Sequence, residues 1–209
     1  TAAQIENMIT EHTRVLILNS PCNPTGAVYT EQEIRNIAEV CEKYDLTVIS
    51  DEIYEKLNYS GQPHFSIAQV SPEMKDRTIV INGLSKSYAM TGWRLGYLAA
   101  PLKLAKAIAS FQSHSTSNVN TMTQYASVAA LEGDDKPMRD MLKAFGARRE
   151  KMLAKLDEMK ELGLDYVKPD GAFYVMLLCD EVYGKSYHGE KIHGSMDFSE
   201  ILLAQKLVA

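Results

Sequence analysis

The chain has 209 residues, of which 45% are hydrophobic and 23% charged, and its formal net charge is −5. This composition is typical of a soluble globular protein and excludes the disordered, collagen-like and disulfide-scaffold classes. With 22 basic against 27 acidic side chains, it offers no basic face for nucleic acid. No apolar stretch approaches the roughly 20 residues of a membrane span.

The cysteines and the chain ends indicate the cellular compartment of the protein and the completeness of the chain. Cys22, Cys41 and Cys179 are far apart and form no C-x-x-C pair, so we expect reduced thiols and no structural zinc. The first residues show neither a basic nor an apolar signal region. We therefore expect a cytoplasmic protein. Because the chain begins without Met and ends within an amphipathic stretch, 197–209, we also expect a fragment lacking both ends.

Apolar β-favouring runs and helical patterns alternate along the first part of the chain. Buried strands are predicted over 14–19, 46–50, 78–82 and 95–99. A capping box at Thr30-Glu31-Gln32-Glu33 predicts a helix that runs to about Tyr44. Further helices are predicted over about 101–112 and 120–131. This order predicts an α/β fold with a mostly parallel sheet, whose strands we expect to be buried on both faces.

The pattern changes near residue 135, where we place a domain boundary. A long helix is predicted over 138–160, and a helix of that length often packs between two domains. Two strand candidates, 165–167 and 172–179, a polar loop and a final helix follow. Residues 1–135 are thus predicted to be part of a large domain. Residues 136–209 are predicted to hold a connecting helix and part of a smaller α+β domain.

Polar side chains follow three of the predicted strands. Asn23 lies four residues past Asn19, Asp51 directly follows Ser50, and Lys86 lies four residues past Asn82. In open α/β sheets, ligands bind beyond the carboxyl ends of the strands, so these three side chains should meet in one crevice. An amide, a carboxylate and an amine there could bind a phenolate-like oxygen, hold a protonated ring nitrogen and form an imine, respectively.

Three motifs make the chain similar to a known family. They are Asn19-Ser20-Pro21-Cys22-Asn23-Pro24-Thr25-Gly26, Asp51-Glu52-Ile53-Tyr54, and the run from Ser85-Lys86 to Trp93-Arg94-Leu95-Gly96-Tyr97. In this order and spacing they resemble the class I/II pyridoxal-phosphate (PLP) aminotransferases of fold type I, with the aspartate-aminotransferase-like branch as the best match. The resemblance covers nearly the whole chain and implies that residues 1–135 form part of the PLP-binding large domain.

The resemblance implies roles for two catalytic side chains. Lys86 matches the lysine that forms a Schiff base with PLP and then moves a proton, which requires a partly deprotonated amine. Asp51 matches the residue that keeps the pyridine nitrogen protonated, so that the ring can act as an electron sink.

Four further residues match positions that hold the cofactor. Asn23 and Tyr54 match the pair that hydrogen-bonds the ring's 3′-oxygen, and Tyr54 is also placed among the catalytic residues. Arg94 matches the phosphate-binding arginine, and Ser85 is expected as a second phosphate donor. Gly83 stands where another subgroup has a phosphate-binding serine, and we expect it to allow close backbone approach. The family's Gly/Ser-rich phosphate loop and its substrate-carboxylate arginine match no residue here.

The resemblance implies transfer of an amino group between an L-amino acid, aspartate-like by default, and a 2-oxo acid, in a homodimer without nucleic-acid or membrane partners. The fragment alone is expected to be inactive. Two alternatives within the fold are a C–S β-lyase and an aminocyclopropane-carboxylate-synthase-like enzyme. A third is the PLP-sensing effector domain of a transcriptional regulator.

Several other residues have simpler interpretations. Phe173 and Tyr174 lie in an apolar run, so core packing is favoured over a place in the substrate pocket. Gly26 is expected only to shape a turn. Asn118 is equally compatible with helix capping and with an approach to a partner's cofactor. We expect no metal site from the remaining candidate pair, His188 and His193.

Overall fold

A computed structural model describes residues 1–208 and contains a four-stranded sheet followed by two small two-stranded sheets. The strands are β1 (Val15–Asn19), β2 (Thr47–Asp51), β3 (Thr78–Gly83), β4 (Gly96–Ala99), β5 (Asp165–Val167), β6 (Met176–Leu178), β7 (Ser186–Tyr187) and β8 (Glu190–Lys191). The helices are α1 (Ala2–Met8), α2 (Glu31–Lys43), α3 (Pro72–Lys75), α4 (Leu84–Ser87), α5 (Leu102–Ser115), α6 (Thr121–Glu132), α7 (Lys136–Asp157) and α8 (Ser195–Lys206). Ala209, the last residue of the amphipathic stretch 197–209, lies outside the described residues.

The main sheet has the order β1-β2-β3-β4, with the first three strands parallel and β4 antiparallel at the edge. The register pairs Asn19 with Asp51, and Asp51 with Ile81. The carboxyl ends of the three parallel strands therefore lie at the same edge of the sheet. This arrangement confirms the predicted α/β fold with a mostly parallel sheet.

Helix α2 follows the predicted capping box and covers one face of this sheet. The hydroxyl of Thr30 accepts a hydrogen bond from the Glu33 amide, and the Thr30 amide donates to the Glu33 carboxylate. Ile34, Ile37 and Cys41 on α2 are almost fully buried and pack in one core with residues of β1 and β2. Each fully buried aliphatic side chain of this kind contributes about 1.5–3 kcal/mol to stability.

The prediction that the strands are buried on both faces was wrong. Within residues 1–208, Ile17 of β1 is 71% exposed and Ile81 of β3 is 39% exposed. Leu18 and Val48, which point toward α2, are buried. The uninterrupted apolar runs predicted that other residues cover both faces of the sheet. Within the described part of the chain, the face opposite α2 is not covered in this way.

The second part of the chain agrees with the prediction in its long helix and differs in its strands. The predicted strand 172–179 shortens to Met176–Leu178, because the Ala172 amide donates to the Leu57 carbonyl and not to β5, which is the partner of β6. The predicted polar loop contains the hairpin β7–β8, which turns at His188 and Gly189, both at positive φ. Strands of two residues are too short to show an alternating pattern. The division near residue 135 stays a prediction.

None of the helices within residues 1–208 combines the length and the apolar run that crossing a bilayer requires.

Candidate active site

The site begins with the pair Asn19 and Asp51 at the carboxyl ends of β1 and β2. The side-chain amide of Asn19 donates to the Asp51 carbonyl at 3.3 Å, and its oxygen accepts from the Asn23 amide at 2.8 Å. The Asp51 carboxylate accepts from the Ile53 amide at 3.2 Å. Asn19 therefore fixes the start of the loop that carries Asn23. Sequence reasoning missed this role, for which the only signal was a polar residue ending an apolar strand.

The loop from Pro21 to Gly26 is fastened to a distant part of the chain. Two of its peptide bonds, before Pro21 and before Pro24, are cis. The Gly26 carbonyl accepts from the amides of Asp170 and Gly171, both at 2.8 Å. A methyl group added at Gly26, where φ is +70°, would lie 2.3 Å from Cβ of Pro169. Gly26 thus allows a close chain contact as well as the turn, so its expected role was incomplete.

Tyr54 is the centre of the site and is only 2% exposed. Its hydroxyl lies 2.9 Å from that of Tyr174. Burial raises the pKa of Tyr54 most, and the adjacent Tyr174 and the charge of Asp51 raise it further, whereas the nearby Asn23 side chain lowers it in part. Tyr54 therefore stays protonated at neutral pH and remains a hydrogen-bond donor, with the side chains of Asn23 and Asp51 beside it.

Lys86 reaches the same place from β3. Its amine lies 5.7 Å from the ring centroid of Tyr54 and 5.4 Å from that of Phe173, within the range of cation–π attraction. Lys86 lies on the one-turn helix α4, which begins directly after Gly83, the last residue of β3. A methyl group at Gly83 would lie 3.0 Å from the Leu95 carbonyl oxygen and 3.1 Å from Gly96 Cα, which confirms the predicted close backbone approach.

The structure brings together four of the predicted residues, Asn23, Asp51, Tyr54 and Lys86, around Tyr54. Ser85 precedes Lys86 on α4 and is half-buried. Arg94 is exposed, and its guanidinium donates to the Thr91 carbonyl at 3.0 Å. Within residues 1–208, no hydrogen bond or ion pair joins Arg94 to these four residues.

Arg94 lines an open cleft of about 1010 Å³ together with Asn118. The side chain of Asn118 donates to the carbonyl of Val119, whereas Asn120 caps α6 by accepting from the amides of Met122 and Thr123. Capping by Asn118, one of its two predicted roles, is therefore wrong.

The prediction that Phe173 packs in the core was also wrong, whereas Tyr174 packs, partly buried, against the core cluster of Tyr54, Leu57 and Ala172. Phe173 is 40% exposed, and its ring meets that of Tyr54 edge to face at 5.4 Å. Tyr174 is half-buried, and its hydroxyl contacts that of Tyr54. Both residues form part of the site, because their segment bonds to the large sheet's loops and does not continue β6. The available signal was the Gly171-Ala172 pair directly before them.

One cluster of potential metal ligands lies outside this site. Glu52, Glu55 and His64 are the group within residues 1–208 whose donor atoms lie within 4.8 Å of one another. The Glu52 carboxylate already accepts from Ser50 at 2.8 Å and Ser66 at 2.5 Å, and His64 lies 2.8 Å from it. The Glu52 carboxylate oxygens therefore already have hydrogen-bond partners within the protein.

Comparisons with known proteins agree with this fold. The family model described as aminotransferase class I and II matches residues 1–209. An aspartate aminotransferase of Bacillus subtilis (strain 168) is 48% identical over 172 residues, which are 82% of this chain and 43% of that protein. A probable aspartate/prephenate aminotransferase of Aquifex aeolicus (strain VF5) is 42% identical over 98% of this chain and 50% of that protein.

Solved structures give the same result. The aspartate aminotransferase of Rhizobium meliloti matches with a TM-score of 0.94 and 39% identity, over all of this chain and 52% of that one. An aromatic aminotransferase of Pyrococcus horikoshii OT3 matches with a TM-score of 0.89 and 40% identity, over all of this chain and 53% of that one. The chain belongs to the class I and II aminotransferases. It spans about half the length of these relatives.

Proposed function

We propose that the whole protein containing this chain is a PLP-dependent aminotransferase that moves an amino group between an L-amino acid and a 2-oxo acid. An aspartate-like amino acid is the proposed donor, supported by the names of the relatives. The observation that carries the proposal is the position of the Lys86 amine beside Tyr54, whose hydroxyl has Asn23 and Asp51 as neighbours.

The donor set fits pyridoxal phosphate. The site holds an amine, a carboxylate, a buried hydroxyl and an amide, and the aromatic faces of Tyr54 and Phe173 flank the amine. When bound, PLP supplies an aldehyde for an amine and a ring that takes up the electron pair left at Cα.

Lys86 and Asp51 perform the two central tasks in this proposal. Lys86 holds the cofactor and then carries a proton between the substrate Cα and the cofactor, acting first as general base and then as general acid. Asp51 accepts a hydrogen bond from the protonated ring nitrogen and stabilises its positive charge. Each unit by which Asp51 raises the pKa of that nitrogen corresponds to about 1.4 kcal/mol.

The remaining residues orient the cofactor. Tyr54 and Asn23 donate hydrogen bonds to its ring oxygen and stabilise the anion there. Ser85 and Arg94 bind its phosphate. A guanidinium has five N–H donors, so the bond from Arg94 to the Thr91 carbonyl leaves others for phosphate oxygens.

The protein is further proposed to be a cytoplasmic homodimer. Its three cysteines are free, which is typical of proteins from reducing compartments. Light scattering of the purified whole protein would test the dimer, and a monomer at all concentrations would contradict it.

The proposal is tested by measuring amino transfer from aspartate to a 2-oxo acid with the whole protein. Lys86→Ala should lower kcat by at least about 10²–10⁴-fold, the usual range for loss of a general acid–base group. Lys103→Ala, which changes an exposed lysine of α5, is the matched control and should leave the rate unchanged. Wild-type rates for Lys86→Ala would contradict the proposal. Elimination products in place of amino transfer would favour the β-lyase or synthase-like alternatives.

A further inference from the structure

The hydroxyl groups of Tyr54 and Tyr174 form a contact that the proposed reaction does not yet use. They lie 2.9 Å apart, although the residues are separated by 120 positions in the chain. The two rings pack edge to face, with centroids 5.9 Å apart and an interplanar angle of 78°. The mutual orientation of the two side chains is therefore set by ring packing as well as by the hydrogen bond.

Tyr174 is held in place by a segment with several anchors. The amides of Asp170 and Gly171 donate to Gly26, as described above. The Ala172 amide donates to the Leu57 carbonyl at 2.8 Å, and the Tyr59 hydroxyl donates to the Ala172 carbonyl at 2.7 Å. These bonds join the segment to the chain on either side of the site, so Tyr174 presents its hydroxyl from a rigid support.

The direction of the hydrogen bond follows from what Tyr54 must do. A hydroxyl has one hydrogen to donate, and the proposed function requires Tyr54 to donate it to the cofactor's ring oxygen. The Tyr54 oxygen can then only accept from Tyr174, so Tyr174 donates. In such a chain, each hydrogen bond polarises and strengthens the next.

We propose that Tyr174 is a positioning residue, whose hydroxyl donates to Tyr54 and thereby aims and strengthens the hydrogen bond of Tyr54 to the bound cofactor. This inference rests on the proposed function. Tyr174 acts through Tyr54, so removing its hydroxyl has no further effect once the Tyr54 hydroxyl is absent.

The test uses the whole protein loaded with PLP and measures the pH midpoint of the visible absorption change of the bound cofactor. A donor at the ring oxygen stabilises the anion that remains when the adjacent proton is lost, so weakening this donor raises the midpoint. Tyr54→Phe should raise it most. Tyr174→Phe, which keeps the ring contacts, should raise it by about 0.3–1 pH unit, as expected for one neutral hydrogen bond. The double variant should match Tyr54→Phe alone.

Tyr44→Phe is the matched control, because it removes a tyrosine hydroxyl that donates to the Glu6 carboxylate, outside the site and outside the segment that carries Tyr174. Its midpoint should equal that of the wild type. The inference is overturned by an unshifted Tyr174→Phe beside a shifted Tyr54→Phe, by an equal shift in Tyr44→Phe, or by additive shifts in the double variant. A wild-type protein that takes up no PLP would instead overturn the proposed function, and this inference with it.

Discussion

Gly171 lies against Pro21 so closely that a methyl group added at Gly171 would be 2.5 Å from the Cβ of Pro21. The same methyl group would be 2.8 Å from a side-chain carbon of Val28. This contact closes the segment that carries Phe173 and Tyr174 onto the loop that carries Asn23. The absence of a side chain at Gly171 is therefore a condition for assembling the site.

Gly171→Ala should destabilise the whole protein by about 1–3 kcal/mol, since the added methyl group overpacks a closed contact. Gly146→Ala is the matched control. A methyl group at Gly146, inside α7, meets no atom within 4 Å, so this variant should be more stable by about 0.5–1 kcal/mol. Urea unfolding followed by circular dichroism measures both. A Gly171→Ala protein as stable as the wild type would contradict the packing described here.

Asp51→Ala should retain some PLP binding and lose at least about 10²-fold in turnover. Lys86 and the phosphate-binding residues remain in this variant, whereas the charge that stabilises the protonated ring is removed. Asp45→Ala, which changes an exposed aspartate paired with Arg77, is the control and should keep wild-type turnover. Cofactor uptake by absorbance and steady-state kinetics separate the two effects. If Asp51→Ala turned over at the wild-type rate, its electron-sink role would be wrong.

Glu52 should make stability depend on acid pH. Burial raises the pKa of Glu52, but hydrogen bonds from His64, Ser66 and Ser50 outweigh it and hold the pKa below the ordinary value of 4.5. The ionised carboxylate thus stabilises the fold above pH 4.5, and this contribution is lost as the pH falls through the lowered pKa.

Glu52→Gln should lower the free energy of unfolding by about 1–3 kcal/mol at pH 7 and by less at pH 4. The stabilities of the variant and the wild type should therefore become more similar as the pH falls. Urea unfolding at both pH values provides the comparison. A difference in free energy of unfolding that stays constant or grows toward low pH would refute the role of the ionised carboxylate.

Cys41 should resist thiol reagents in the folded protein. It is fully buried, and burial raises its pKa to about 11, so about one thiol in a thousand is ionised at pH 8. Cys22 is only half-buried and should be labelled first. Mass spectrometry after timed exposure to an aromatic disulfide would measure both rates, and equal labelling in the native state would count against the predicted burial.

The residues at the carboxyl ends of the parallel strands could be predicted from the sequence. A polar side chain that ends an apolar run is a local pattern, which the sequence shows directly. Asp51 is the last residue of β2 instead of following it, Lys86 lies on α4 directly beyond β3, and the capping box at Thr30 begins its helix at the predicted place. Phe173 and Tyr174 could not be placed in this way. Their positions depend on hydrogen bonds between segments far apart in the chain, such as that from Gly171 to Gly26, which leave no periodic signal.

The exposed face of the sheet has a similar explanation. Ile17 lies in an uninterrupted apolar run, and such runs predict cover on both faces without indicating which segment supplies it. Asn19 was also missed, because its contribution is a pair of hydrogen bonds that become visible only when β1 and β2 are side by side.

The central claim is that the Lys86 amine binds the cofactor covalently. The most direct measurement is borohydride reduction of the PLP-loaded whole protein, followed by peptide mass spectrometry to locate the pyridoxyl group. We expect the group on Lys86, with no label in Lys86→Ala and full label in the Lys103→Ala control. A label on another lysine, or its persistence in Lys86→Ala, would contradict the assignment.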